Sequence, residues 1–249
     1  MKFNTIGEFY LWLRKYEMCI LDSGSQGICY RIGNRVYKIF LQFIDEIAED
    51  MIEYNKDDIL QFSSIVNNTY IFPNDVIMVG DMVVGYITDY ANAKSLDKID
   101  PLSVNLDMFE KKLEDVYPDI KIISDNGVRS FDVVYNILYG KHGFRVIDTM
   151  EYTKTDMDSM ELYRLNKKNF NTGIKLFLTD DYFDELLLCN DLLYSMYCDS
   201  GVDMVLFLKE FRKTLSEKEG FEILKLGDAK KSVSFKRKKN PKYIRDFYH

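Results

Sequence analysis

The sequence predicts an α+β protein, β-rich in its first part and mainly helical in its second. Period-two apolar runs with Gly-containing turns mark strands over residues 21–40 and in a hairpin ending near residue 90. Beyond residue 103 the apolar residues recur at three- and four-residue steps. One short hairpin, between residues 133 and 148, interrupts that helical pattern. With 249 residues, 47% of them hydrophobic, the chain can bury the core of one large domain or of two lobes.

Composition removes several functions. The net charge of -7 argues against a general nucleic-acid binder. The four cysteines form no C-x-x-C pair, and with His142 and His249 as the histidines a structural zinc is not expected. Only His142 is placed to serve a Ser-His or Cys-His mechanism, which argues against a triad hydrolase. No secretory signal and no apolar run of about 18 residues is visible, so a cytoplasmic protein without a transmembrane segment is expected.

The first element expected is an amphipathic helix over residues 5–17, with Ile6, Phe9, Tyr10 and Leu13 on one face. Leu21 to Phe40 then reads as two strands, with turns at Gly24-Ser25-Gln26-Gly27 and Ile32-Gly33-Asn34-Arg35. A long helix is expected from about Gln42 to Val66, carried by Ile44, Ile47, Met51, Ile59, Phe62 and Val66. Glu49, Glu53 and Asp57 share one of its faces as an acidic stripe. Val76 to Tyr90 reads as a hairpin about a Gly80-Asp81 turn. It completes a five-stranded antiparallel sheet.

Asn92 to Pro101 is the expected boundary. A helix follows over about residues 103–123, with a break near Pro118. In Gly127 to Tyr152, Asn136 opens a short hairpin and Asp148 closes it, which brings two hard oxygen ligands to one end. Such a pair suits Mg²⁺ that also takes phosphate oxygens. Leu162, Leu165, Phe170 and Ile174 then mark a helix face. Tyr182–Met196 reads as a buried helix and Val202–Phe211 as another. From Ala229 eight basic residues accompany one Asp. This tail could lie on the acidic body or reach an anionic partner.

Taken together, these segments resemble the protein kinase-like superfamily, in the style of its small divergent bacterial members. Asp22, Gly24 and Gly27 stand where the family writes three glycines, and Lys38 follows on the next strand. Asn136-Ile137-Leu138 and Val146-Ile147-Asp148 occupy the catalytic-loop and metal-aspartate places. Asp132 lies four residues before Asn136, where the family spaces its base by five. No A-P-E sequence follows Asp148.

The resemblance implies a bilobal fold. Residues 1–91 would form a β-rich N-lobe with one long helix, residues 92–228 a helical C-lobe, and residues 229–249 the basic tail. It implies ATP and Mg²⁺ as cofactors. Gly24, Ser25, Gln26, Gly27 and Lys38 would hold phosphates, Glu53 or Asp57 would pair Lys38, and Asp89 and Ala91 would offer backbone groups to adenine. Asn136 and Asp148 would hold the metal, and Asp132 would act as base beside Lys38. The expected activity is phosphoryl transfer to a protein Ser or Thr. A pseudokinase that binds nucleotide or docks a partner, and a small-molecule kinase, are the alternatives.

Overall fold

A computed structural model describes residues 1–24, 26–44, 52–179, 182–199 and 201–233. It mixes helix with multistranded sheet and divides into two compact units. The first comprises Met1–Val66, Ile71–Ala91 and Asp148–Glu151, and the second Asn67–Tyr70, Asn92–Ile147 and Tyr152–His249. Ser25, residues 45–51, residues 180–181, Ser200 and the tail from 234 onward lie outside the described residues.

The first unit is built on a six-stranded sheet. Its strands are β1 (Lys2–Phe3), β2 (Ile20–Ser23), β3 (Gly27–Ile32), β4 (Arg35–Phe40), β5 (Asp75–Val79) and β6 (Met82–Asp89), in the order β1-β5-β6-β4-β3-β2. The hairpins β3–β4 and β5–β6 stand where the turn residues put them. The expected count of five antiparallel strands misses β1, which pairs parallel with β5 through Lys2 and Phe3. Two residues are too short a run to register as a period. Helix α1 (Ile6–Lys15) starts at Thr5, whose side chain accepts from the Glu8 N–H. Phe9 from α1 joins Ile39, Phe40, Val84 and Tyr86 in the core.

The long helix expected over 42–66 is not continuous. Both the Ile52 N–H and carbonyl bond the Gln42 side-chain amide, at 2.9 and 2.7 Å. Residues 52–55 lie outside any helix. Helix is confined to α2 (Lys56–Leu60), among the described residues of this stretch other than a 3-10 turn at Leu41–Phe43. Asn55, in extended conformation, caps α2 by accepting from the Asp57 N–H. Asparagine favours a cap over a helix interior because its side chain competes for backbone donors. That competition outweighed the apolar spacing.

The second unit is mainly helical. It contains α3 (Leu106–Glu114), α4 (Val116–Asp125), α5 (Ser159–Thr179), α6 (Asp184–Leu188), α7 (Asp191–Cys198) and α8 (Met204–Glu219). Its strands are β7 (Lys94–Ser95), β8 (Val128–Arg129), β9 (Ile137–Gly140), β10 (Gly143–Val146) and β11 (Thr153–Lys154), in sheets β10-β9-β7 and β11-β8. The α3–α4 break falls at Asp115, not at Pro118. Pro118 sits in the first turn of α4, where a missing N–H costs nothing. The expected 182–196 helix is two helices, because Asn190 caps α7 by accepting from the Leu193 N–H. Leu188, Leu192 and Tyr194 are exposed.

Phe144 meets Phe109 and Phe170 edge-on in the core of this unit. The expected tail begins too early at residue 229. Ala229, Ser232 and Val233 are buried. Buried Glu219 accepts from the Lys231 N–H, the Ser232 N–H and the Ser232 hydroxyl. A buried carboxylate needs such donors, so residues 229–233 belong to this unit.

Candidate functional site

The strand register places Cys29, Lys38 and Tyr86 side by side across β3, β4 and β6. Residues directly opposite in a sheet project from the same face. The β4 sequence, Arg-Val-Tyr-Lys-Ile-Phe, buries its last three residues, so Lys38 is only 7% exposed. Its stem lies among apolar neighbours while its ammonium reaches out. Glycines on both flanking strands permit this close packing. A Cβ at Gly27 would stand 2.4 Å from the Ile39 carbonyl oxygen, and one at Gly85 would stand 2.2 Å from that of Lys38.

The Lys38 ammonium donates to Asp148 Oδ1 at 2.5 Å and to Gln26 Oε1 at 3.2 Å. The Tyr86 hydroxyl donates to the same Asp148 oxygen at 3.0 Å. Gln26 Nε2 in turn donates to Glu151 Oε1. The ring of Tyr86 faces the Lys38 ammonium, 5.7 Å from centroid to nitrogen. Asp148 has φ 58, a conformation that costs an ordinary residue on the order of 1–3 kcal/mol. The surroundings enforce it. Thr149, next in the chain, donates its hydroxyl to the Ile71 carbonyl, and Met150 packs on the core of the first unit.

Burial pushes the Tyr86 phenol well above its usual range, and the Asp148 carboxylate adds to the effect. Tyr86 is therefore a neutral donor at any working pH. Burial pushes the Cys29 thiol up to about 11; Lys38 opposes this, and Asp148 and Asp22 reinforce it. Cys29 stays a thiol and does not compete with Asp148 for the ammonium.

Among the described residues, Asp148 Oδ1 takes both side-chain donors and Oδ2 takes none. An open carboxylate oxygen fits a hard cation. No group of three or more His, Cys, Asp or Glu among the described residues could hold a metal ion. One carboxylate oxygen suits Mg²⁺ when phosphate oxygens and water complete the octahedron.

The expected residues fall into two sets. Gln26, Gly27, Lys38 and Asp148 come together in the first unit. Gly24 lies in the β2–β3 turn, but its N–H is spent on the Gly27 carbonyl at 2.9 Å. Gly27 is required by strand packing against Ile39 rather than by an open backbone. Glu53 and Asp57 are exposed, Glu53 outside a helix and Asp57 in the first turn of α2. The carboxylate that pairs Lys38 is Asp148, not one of these two. Asp89 ends β6 and accepts from the Asn74 side chain at 3.2 Å. Ala91 is the last residue of its stretch, after Tyr90 donates its N–H to the Asn34 carbonyl.

In the second unit Asp132 adopts φ 47 and ψ 33 and leads into a 3-10 turn at Val133–Tyr135. Asn136 Nδ2 donates to the Asp132 carbonyl at 2.8 Å, and the Asn136 carbonyl accepts from the Ile147 N–H. Asp132 and Asp148 are the two non-glycine residues with positive φ among the described residues.

Sequence reasoning missed Tyr86 and Asn166. Fully buried Asn166 on α5 accepts from the Ser130 N–H and hydroxyl, and donates to Ser124 Oγ and the Val128 carbonyl. It anchors the backbone that leads to Asp132. Its signal was present: Leu162, Asn166, Phe170 and Ile174 recur at four-residue steps, a polar residue inside an apolar stripe. Tyr86 had no such signal, because the β4–β6 register is not local.

No family model matches the chain, and no curated protein sequence matches it.

Proposed function

We propose that this chain is an ATP-dependent phosphotransferase of the protein kinase-like kind, with a bilobal arrangement and a hydroxyl acceptor on a protein Ser or Thr. The observation that carries the reading is the Lys38–Asp148 contact. It joins the strand lysine after a Gly-containing turn to the aspartate after a short hairpin, the two residues that the resemblance assigns to phosphate and metal. Lys38 would neutralise the α- and β-phosphates. Asp148 would hold Mg²⁺ through its open oxygen, with phosphate and water as further ligands. Mg²⁺ supplies charge neutralisation on the phosphates, so the protein's part is positioning. The roles of Asn136 as a second metal ligand and of Asp132 as base rest on the resemblance. The left-handed backbone at Asp132 adds support, since such strain gathers at functional residues.

A nucleotide-binding module without transfer is the second reading. It is favoured by the displaced Asp132 and by exposed Glu53 and Asp57, which leave Lys38 to Asp148. A small-molecule acceptor is the third. Incubation with labelled ATP and Mg²⁺, alone and with candidate proteins or lysate, decides among them by where label appears. In parallel, ATP with Mg²⁺ raises the melting temperature of the native protein through linkage. Lys38→Ala and Asp148→Asn lose most of that gain. Equal shifts in all three proteins overturn the reading.

A further inference from the structure

We propose that Tyr86 is a positioning residue: its hydroxyl, bound to Asp148 Oδ1, reserves Oδ2 of that carboxylate for the divalent cation of a bound nucleoside triphosphate. The proposal rests on the reading of Lys38 and Asp148 given above and adds a residue which that reading does not use.

A carboxylate on a short turn has two equivalent oxygens and a nearly free terminal torsion. Lys38 alone could bind either oxygen or straddle both. Tyr86 removes that freedom. Its ring is fixed in the β6 core, 3% exposed and 6.0 Å from the Phe40 ring, and its oxygen lies 3.0 Å from Oδ1. Two donors from the same cross-strand row then converge on one oxygen. The carboxylate plane is set, and Oδ2 is the oxygen left without a described donor. Partners of a metal ligand that hold it by its other atom typically change metal affinity about 10–100-fold when removed. Tyrosine is suited to this place because, unlike a second lysine, it donates a hydrogen bond without cancelling the charge that attracts the cation.

Tyr86→Phe deletes the hydroxyl and keeps the ring. ATP is titrated by calorimetry into native, Tyr86→Phe, Asp148→Asn and doubly substituted protein, with and without Mg²⁺. Tyr86→Phe is expected to weaken the Mg²⁺-dependent gain in affinity by about tenfold or more, and to leave Mg²⁺-free binding unchanged. In the Asp148→Asn background the same change is expected to do nothing further. 3-Fluorotyrosine at position 86 provides a second variant that keeps the hydroxyl and, with one added ring fluorine, makes it a stronger donor. It should shift the Mg²⁺-dependent affinity alone. An unchanged Mg²⁺ gain in both variants overturns the proposal while leaving the phosphotransferase reading intact. So does an equal loss with and without Mg²⁺. Native protein that gains no affinity from Mg²⁺ overturns that reading and this proposal with it.

Discussion

Lys38 and Asp148, 110 positions apart in the chain, share a hydrogen bond inside one compact unit. The pair is unequal. The Lys38 side chain is 9% exposed and that of Asp148 32%. Removing the carboxylate leaves a buried ammonium with one neutral acceptor, whereas removing the ammonium leaves a carboxylate that water can reach. Asp148→Ala is therefore expected to cost more stability than Lys38→Met, whose stem still fills the β4 site. The loss for Asp148→Ala should be about 2–3 kcal/mol, read from urea unfolding. Equal losses would mean that the pair is solvated from both sides.

Asp132 pays for a left-handed backbone. Asn tolerates that conformation and Gly is at ease in it, whereas a β-branched residue is not. Asp132→Val should be less stable than Asp132→Asn by roughly 1–2 kcal/mol in thermal or urea unfolding. If Asp132 is the base, Asp132→Asn lowers phosphoryl transfer by ~10²-fold or more while ATP still binds. A transfer rate that survives Asp132→Asn excludes Asp132 from that role.

Asn166→Ala leaves the Ser130 N–H and the Val128 carbonyl buried without their partner. A loss of about 2–4 kcal/mol is expected for two such orphaned groups, together with faster amide exchange at Ser130. Exchange as slow as in the native protein would show that other groups hold this loop.

Alkylation should distinguish the thiols. At pH 8, exposed Cys189 and Cys198 react with iodoacetamide well before Cys29, which burial holds neutral up to about pH 11. The linkage has a definite sign. The folded-state value lies above the ordinary 9.0, so the contribution of Cys29 to stability is complete below pH 9 and is lost as pH rises toward about 11. Cys29→Ala should flatten the fall in stability across that window. Early labelling of Cys29 in mass spectra would contradict its raised thiol pKa.

Truncation is expected to be sharp. A chain ending at Val233 keeps every described contact to Glu219, and should unfold as cooperatively as the full chain. A chain ending at Gly227 loses three donors to a buried carboxylate, along with buried Ala229 and Val233. It should show a lower, broader transition in thermal melts.

Local chemistry made much of the fold legible. The turns at Gly33-Asn34, Gly80-Asp81 and Lys141-His142 announce three hairpins, since each is set by residues adjacent in sequence. The apolar spacing announced α1 and α5 for the same reason. Lys38 and Asp148 were legible as candidates because each is a charged residue at the end of, or within, an apolar run. Their contact was not, nor was the row Cys29–Lys38–Tyr86. Pairing between β4 and β6 joins strands separated by more than forty residues, and no local period records its register. Spacing also misread 42–66, where residues 52–55 are outside any helix and the side chain of Asn55 caps a short one that starts only at Lys56. The sequence by itself thus determined the hairpins, the main helices and the residue types able to do chemistry. The tertiary structure decided which of those residues meet. Glu53 and Asp57 went to solvent and Asp148 to Lys38, because a buried ammonium takes the carboxylate that packing delivers to it.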